Sequence, residues 1–269
     1  MNFGSLKRNK SGNTMDKNLK IIDLFSGGGG FSYAAEKLVG GFETIQFCEI
    51  DSYCQKVLKK HWPTVPIHDD IKTYKPKPNS ASVIVGGFPC TDISTAGKGL
   101  GITKETRSGL FYELMRVVCL VRPKYVIMEN VAAILNNGMG TVLGELCKAR
   151  YDAEWSTFRA SDYVKTCHHR DRWWLIARNR DFANSNKKGL QGKTSKRIQR
   201  KGLWPAPTRF CNPNWRKYGV KPAICRTDDG STSELFTNRA NRLKLLGNGL
   251  IPQCAAIPLR RVLDLENES

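Results

Sequence analysis

A doubly wound α/β domain on a mostly parallel sheet is what the sequence predicts. Three observations carry that expectation. Short apolar runs recur between helical stretches. The runs are continuous rather than alternating, as in strands covered on both faces. Residues able to do chemistry cluster where the runs end, which is where α/β folds keep their binding crevice.

The elements follow in order. "LKIIDLF" (19–25) reads as a first strand and leads into four glycines, Gly27 to Gly30. "FSYAAEKLVG" then shows helical spacing (Phe31, Ala34, Ala35, Leu38) with a glycine stop. "FETIQFCEID" is a second strand, and "SYCQKVLKKHWP" a helix halted before Pro63. "VPIHDDI" gives a short third strand and "ASVIVGG" a fourth. "LFYELMRVVCLVRP" is a helix, "KYVIMENV" a strand and "TVLGELCKARY" a helix. "AEWSTFRA" and "RWWLIA" supply two more strands. From about Arg178 to Leu235 periodicity gives way to Gly, Pro, Asn and basic residues interleaved with Trp204, Phe210, Trp215 and Tyr218, an irregular small lobe or long loop. "NRLKLLGNGLIPQCAAIPLRRVLDL" restores regular structure as two helices broken at Gly247 to Gly249.

Composition narrows the function classes. The 269 residues, 40% hydrophobic, allow one good-sized core. No run of about 18 apolar residues offers a membrane span, and residues 1–18 read as a basic tail without a signal-peptide stretch. Nine cysteines without a C-x-x-C pair argue against both a disulfide framework and a zinc site. With only four histidines, the expectation is no metal and a reducing, cytoplasmic setting. The formal net charge of +19 is concentrated: residues 1–20 carry +4 and residues 178–226 carry +13, where Asp181 is the one acid. Such a lopsided block fits a polyanion partner bound in a salt-dependent manner.

The strand ends hold the candidate site. Gly27 and Gly29 match the first two positions of G-x-G-x-x-G, but Ser32 occupies the third, so the pyrophosphate-cradling fingerprint is incomplete. Glu49 lies about 20 residues on, where an acidic side chain takes ribose hydroxyls. Asp70 ends the third strand and is placed to face an adenine amino group. A cofactor with ribose and adenine but no pyrophosphate fits this better than NAD does. Cys90 in "FPCTDIS" and Glu129 in "MENV" end two further strands, an arrangement for a nucleophile and a proton donor.

"DLFSGGGGFS", "CEID", "DDI", "GGFPCTDIS", "MENV", "RDRWW" and "LLGNGLIPQ", in that order, resemble the DNA cytosine-5 methyltransferases, with a compactness similar to small phage and prophage members. The resemblance covers residues 20–178 and 236–265. It implies a Rossmann-like fold dependent on S-adenosyl-L-methionine, with residues 19–180 plus 236–266 as the catalytic domain and 181–235 as the target-recognition region. It implies Cys90 as the nucleophile adding to C6 of a flipped cytosine, Glu129 at N3, and Arg172 with Arg170 at the base and thiolate. Phe25, Ser26, Gly27, Gly28 and Gly30 would contact the cofactor, Glu49 its ribose, Ile50 the adenine face, and Asp70 with Ile71 the adenine edge. Leu110 and Asn248 would close the pocket, although Gly249 stands where most members have Ala or Ser. Residues 94–109 would form the loop that closes over the base. Double-stranded DNA is the implied partner of a monomer in a bacterial cell or phage-infected host, with a cognate restriction endonuclease as a further partner. Three other readings stay open on the sequence: a tRNA cytosine-5 methyltransferase, an inert DNA-binding protein on the same scaffold, and an NAD-dependent oxidoreductase, which Ser32 disfavours.

Overall fold

The computed structural model describes residues 18–90, 102–103, 107–160, 171–183, 241, 245 and 249–268. Its strands are β1 (Leu19–Leu24), β2 (Phe42–Cys48), β3 (Ile67–His68), β4 (Val83–Gly86), β5 (Tyr125–Val131), β6 (Tyr151–Arg159) and β7 (Asp171–Asn179). They form one sheet in the order β3-β2-β1-β4-β5-β7-β6. Strands β1 to β5 are mutually parallel, whereas β7 runs antiparallel to both β5 and β6.

The continuous apolar runs have a physical reason. In β1, Ile21 faces one hydrophobic cluster and Ile22 and Leu24 the other; in β5, Tyr125 and Ile127 oppose Val126 and Met128 in the same way. Both faces of the central strands are therefore dry. One face is covered by α3 (Leu110–Val121), which buries Phe111, Leu114, Met115, Val117, Val118 and Val121 at helical spacing, and by α5 (Met139–Lys148). The other is covered by the C-terminal helix Pro252–Asn267, packed on the segment after β1. That segment starts as α1 (Gly30–Tyr33) and continues as a π-helix over Ala34–Val39.

Two short connections set up the site. Helix α2 (Ser52–His61) is N-capped by Asp51, whose carboxylate accepts from the N–H groups of Tyr53 (2.9 Å) and Cys54 (3.2 Å). Between β5 and α5 a single turn, α4 (Ile134–Asn137), leads to Gly138, where a side chain would meet Ile102 at 2.8 Å. Ile102, within the 94–109 segment, is buried in the core. Arg170, Asn248, residues 1–17, most of 94–109, and 184–235 lie outside the described residues.

Candidate active site

The turn after β1 is held in a conformation that its sequence explains. Phe25, Gly27 and Gly29 all have positive φ (54°, 53° and 80°). For Phe25 the left-handed region costs about 1–2 kcal/mol, a strain of the kind concentrated at functional sites. Ser26 locks the strand exit: its hydroxyl donates to the carbonyls of Asp23 (2.6 Å) and Cys48 (3.3 Å). Glu49, at the end of β2, closes the turn, because Oε2 accepts from the Gly27 N–H at 2.7 Å and Oε1 from the Asp51 N–H at 2.8 Å. A side chain at Gly28 would meet Leu245 at 3.2 Å, and one at Gly30 would meet Leu250 at 3.1 Å, so the chain entering the C-terminal helix roofs the turn.

Around this turn the sequence-predicted cofactor residues divide. Ile50, beside Glu49, is 75% exposed, a large apolar surface left open at the end of β2. Asp70 is half-buried and its carboxylate accepts from the Lys72 N–H at 2.9 Å. Ile71 instead turns its side chain into the core, and its carbonyl accepts from Arg116. Leu110 opens α3 half-buried against the same core.

The second half of the site sits on neighbouring parallel strands. Gly86 of β4 pairs with Met128 of β5, which brings Gly87 beside Glu129. A side chain at Gly87 would come within 3.0 Å of Glu129 Oε2, so only glycine leaves that carboxyl undisturbed. Arg172, at the start of antiparallel β7, places Nε 3.0 Å from Glu129 Oε1 and donates through Nη1 to the Asp171 carbonyl at 2.8 Å. Asn130, fully buried, donates to the Phe88 carbonyl at 3.1 Å and so ties the Phe88-Pro89-Cys90 turn to β5. Cys90 is half-buried at the end of that turn. A pocket opens beside Glu129 and Arg172, walled by Phe158, Trp174, Leu250 and Cys254, with the Phe158 and Trp174 rings stacked in parallel at 5.5 Å.

The C-5 cytosine-specific DNA methylase family model matches residues 19–226, the span containing both halves of this site. The chain belongs to that family. Among curated relatives it is 32% identical over 171 residues to the type II methyltransferase M.Eco47II of Escherichia coli, covering 61% of this chain and 40% of the relative. It is 28% identical over 191 residues to the orphan methyltransferase M.SPRI of Bacillus phage SPR, covering 68% of this chain and 43% of the relative. The chain thus spans less than half the length of these relatives. The solved methyltransferase EhMeth of Entamoeba histolytica shares the fold, with a TM-score of 0.51 at 17% identity over 67% of this chain and 58% of that one.

Several residues that shape this candidate site carry little signal in the sequence. Ser32, read as a break in the glycine pattern, is fully buried and donates its hydroxyl to Asp23 Oδ2 at 2.7 Å. Asp23 itself is buried beneath the turn, and its Oδ1 has no hydrogen-bond partner among the described residues. Burial, opposed by the Ser32 hydrogen bonds and reinforced by Glu49 and Glu36, pushes its carboxyl up to about 8. Arg116 ties the carbonyls of Ile71 (2.5 Å) and Tyr74 (2.9 Å) to α3 and so fixes the stretch after Asp70. The signals were faint: a lone Asp ahead of the glycines, and an Asn inside "MENV" that the neighbouring Glu overshadowed. Among the described residues no group of three or more His, Cys, Asp and Glu is placed to hold a metal, and no helix is long and apolar enough to cross a membrane.

Proposed function

We propose that the chain is a DNA (cytosine-5-)-methyltransferase acting on cytosine in duplex DNA, with S-adenosyl-L-methionine as methyl donor. The observation that carries the reading is the Glu129–Arg172 pair at the end of β5, set against the glycine-cleared turn that ends in Cys90.

The residues present fit the cofactor. The turn at Gly27 has open space where a side chain would stand, Glu49 offers carboxylate acceptors beside it, and Ile50 presents an uncovered apolar face. Glu49 would hold the ribose hydroxyls, Ile50 and Phe25 the adenine faces, and Asp70 the adenine amino group, with Ser26, Gly28 and Gly30 lining the turn and Leu110 and Asn248 closing the pocket. Ile71 would contribute through its backbone, since its side chain is buried. When bound, S-adenosyl-L-methionine supplies an electrophilic sulfonium methyl.

C5 of cytosine is a weak nucleophile within an aromatic ring, and the protein's task is to interrupt that aromaticity. The Cys90 thiolate adds to C6, forming the C6–S bond, while the electron pair of the C5–C6 double bond is pushed toward N3 and Glu129 delivers a proton there. Arg172 holds Glu129 in one orientation and, with Arg170, receives the base oxygen. Once C5 carries its methyl, N3 returns its proton to Glu129, a base removes the C5 proton, and the electrons of that C–H bond restore the C5–C6 double bond and expel Cys90 as thiolate. Pro89 limits backbone freedom ahead of the nucleophile. Reaching Cys90 requires the cytosine to leave the stack, at a cost of a few kcal/mol, and the 94–109 segment would close over it. The basic 181–235 region would hold and read the duplex, with Arg209, Asn212, Asn214 or Arg216 reaching base edges.

Trapping tests this directly. A duplex library carrying 5-fluorocytosine, incubated with cofactor and wild-type protein, should give a persistent covalent adduct, because the fluorine at C5 cannot depart as the proton does. Cys90→Ser should give none. Absence of an adduct with DNA but its appearance on a 5-fluorocytosine-containing tRNA would replace the substrate; absence on both, with cofactor bound, would leave an inert binder.

A further inference from the structure

Trp62 stands at the exit of α2, and Glu36 in the π-helical stretch Ala34–Val39. A π-helical turn is rare and concentrates at functional sites. Here it carries a carboxylate with both oxygens engaged by neutral donors from other elements. Glu36 Oε1 accepts from the Thr44 N–H in β2 at 2.9 Å, and Oε2 accepts from Trp62 Nε1 at 2.9 Å. The indole is fixed further by an edge contact with Phe47 at 5.3 Å, and the residue's backbone N–H donates to the Leu58 carbonyl at 2.7 Å.

What the indole abuts gives this arrangement its meaning. A side chain at Gly29 would stand 2.6 and 2.8 Å from two Trp62 ring carbons and 3.0 Å from Leu58. Gly29 joins the glycine turn to α1: its N–H donates to the Ser26 carbonyl and its carbonyl accepts from the Tyr33 N–H, both at 2.8 Å. The turn is thus held at two points, at Gly27 by the Glu49 carboxylate and at Gly29 by the Trp62 ring. Glu49 would also bear the ribose, so its hold on Gly27 has to accommodate a ligand, whereas the Trp62 contact does not.

We propose that Trp62, fixed by Glu36, is a positioning residue for the cofactor, acting through Gly29 to hold the glycine turn in its binding shape. The proposal rests on reading that turn as the S-adenosyl-L-methionine site. The test measures binding of S-adenosylhomocysteine by calorimetry to wild type, Trp62→Phe, Trp62→Ala and Glu36→Gln, together with KM for cofactor and for DNA, kcat and thermal midpoint. Loss of a charge-assisted hydrogen bond and of the ring contact should weaken binding about tenfold in Trp62→Ala, with Glu36→Gln close behind. Trp62→Phe keeps a ring against Gly29 without the N–H and should recover part of that loss. KM for the cofactor should rise with kcat at saturating cofactor retained and KM for DNA unmoved, the pattern of lost ground-state binding. Should Trp62→Ala not fold, Trp62→Phe and Glu36→Gln carry the comparison. Cofactor affinity within about twofold of wild type in the folded variants overturns the proposal. So does a loss of cofactor and DNA affinity together that only tracks the fall in thermal midpoint. A wild-type protein that binds no S-adenosylhomocysteine overturns the functional reading itself, a result distinct from either.

Discussion

Glu129 is constrained on two sides, by the Arg172 guanidinium and by the missing side chain of Gly87, and each makes a prediction. Arg172→Lys exchanges a planar donor fork for a single point charge and should lower kcat by about tenfold to a hundredfold, with cofactor affinity kept. Gly87→Ala places a methyl against Oε2; displacing the carboxyl by a fraction of an ångström should cost up to about a hundredfold in kcat while the thermal midpoint moves little. If either variant matches wild type in single-turnover rate, the pair is not part of the chemistry. Asp23 predicts a pH dependence of stability. Its carboxyl is raised to about 8 in the fold from an ordinary value of 3.8, so the folded state keeps a proton that the unfolded chain releases. That contribution is complete below the unfolded value and is lost as pH rises through about 8, with a slope of up to about 1.4 kcal/mol per pH unit. Asp23→Asn keeps an acceptor for Ser32 and should flatten the slope; equal slopes in urea unfolding of both proteins between about pH 5 and 8 would refute the assignment. The placement of Cys90 just past β4 and of Glu129 near the end of β5 was legible in the sequence, because reactive side chains where apolar runs end stand out. The Asp23–Ser32 hydrogen bond was not, because its meaning depends on burial, which no local pattern reports.

At the scale of elements, the strands were the most legible part, since double-sided burial writes itself as unbroken apolar runs. "ASVIVGG" contains Val83–Gly86 and "KYVIMENV" contains Tyr125–Val131. Helix α2 runs Ser52–His61, inside the stretch read as ending before Pro63. The π-helical winding of Ala34–Val39 was not legible, because over six residues a wider helical period places the same apolar residues on one face as an ordinary one. The antiparallel sense of β7 was likewise hidden, since apolar spacing carries no direction. The glycine turn supplies the prediction at this scale. Gly29→Ala combines a left-handed backbone with a clash against Trp62, so it should destabilise the domain by about 2–4 kcal/mol in denaturant unfolding and weaken cofactor binding. Gly27→Ala shares the positive φ but meets nothing within 4 Å, and should cost only about 1–2 kcal/mol. Equal losses at the two positions would mean that the indole contact contributes nothing.

Over the whole molecule, charge and topology act together. Of the net +19, the segment 178–226 carries +13, so duplex affinity should fall linearly with the logarithm of salt concentration. Replacing Lys187, Lys188, Lys193 and Lys196 with Gln should reduce that slope by about 0.9 for each phosphate contact removed, and an unchanged slope in fluorescence anisotropy would place those lysines off the DNA. Strand β7 pairs with β5 from Arg172 opposite Val131, at the Glu129 end of β5, to Arg178 opposite Tyr125, at the far end. The chain returns beside that Glu129 end at Gly249 and Leu250, which line the pocket with Glu129. The basic insert therefore joins the described scaffold toward opposite ends of the sheet: Arg178, just before it, lies opposite Tyr125, whereas Gly249, just after it, lines the pocket with Glu129, four strand rises or roughly 13 Å further along β5. Evolution or an engineer exchanging this insert for another has to match both junctions and that span, so inserts should travel between family members as whole cassettes cut near Ala183 and Gly249.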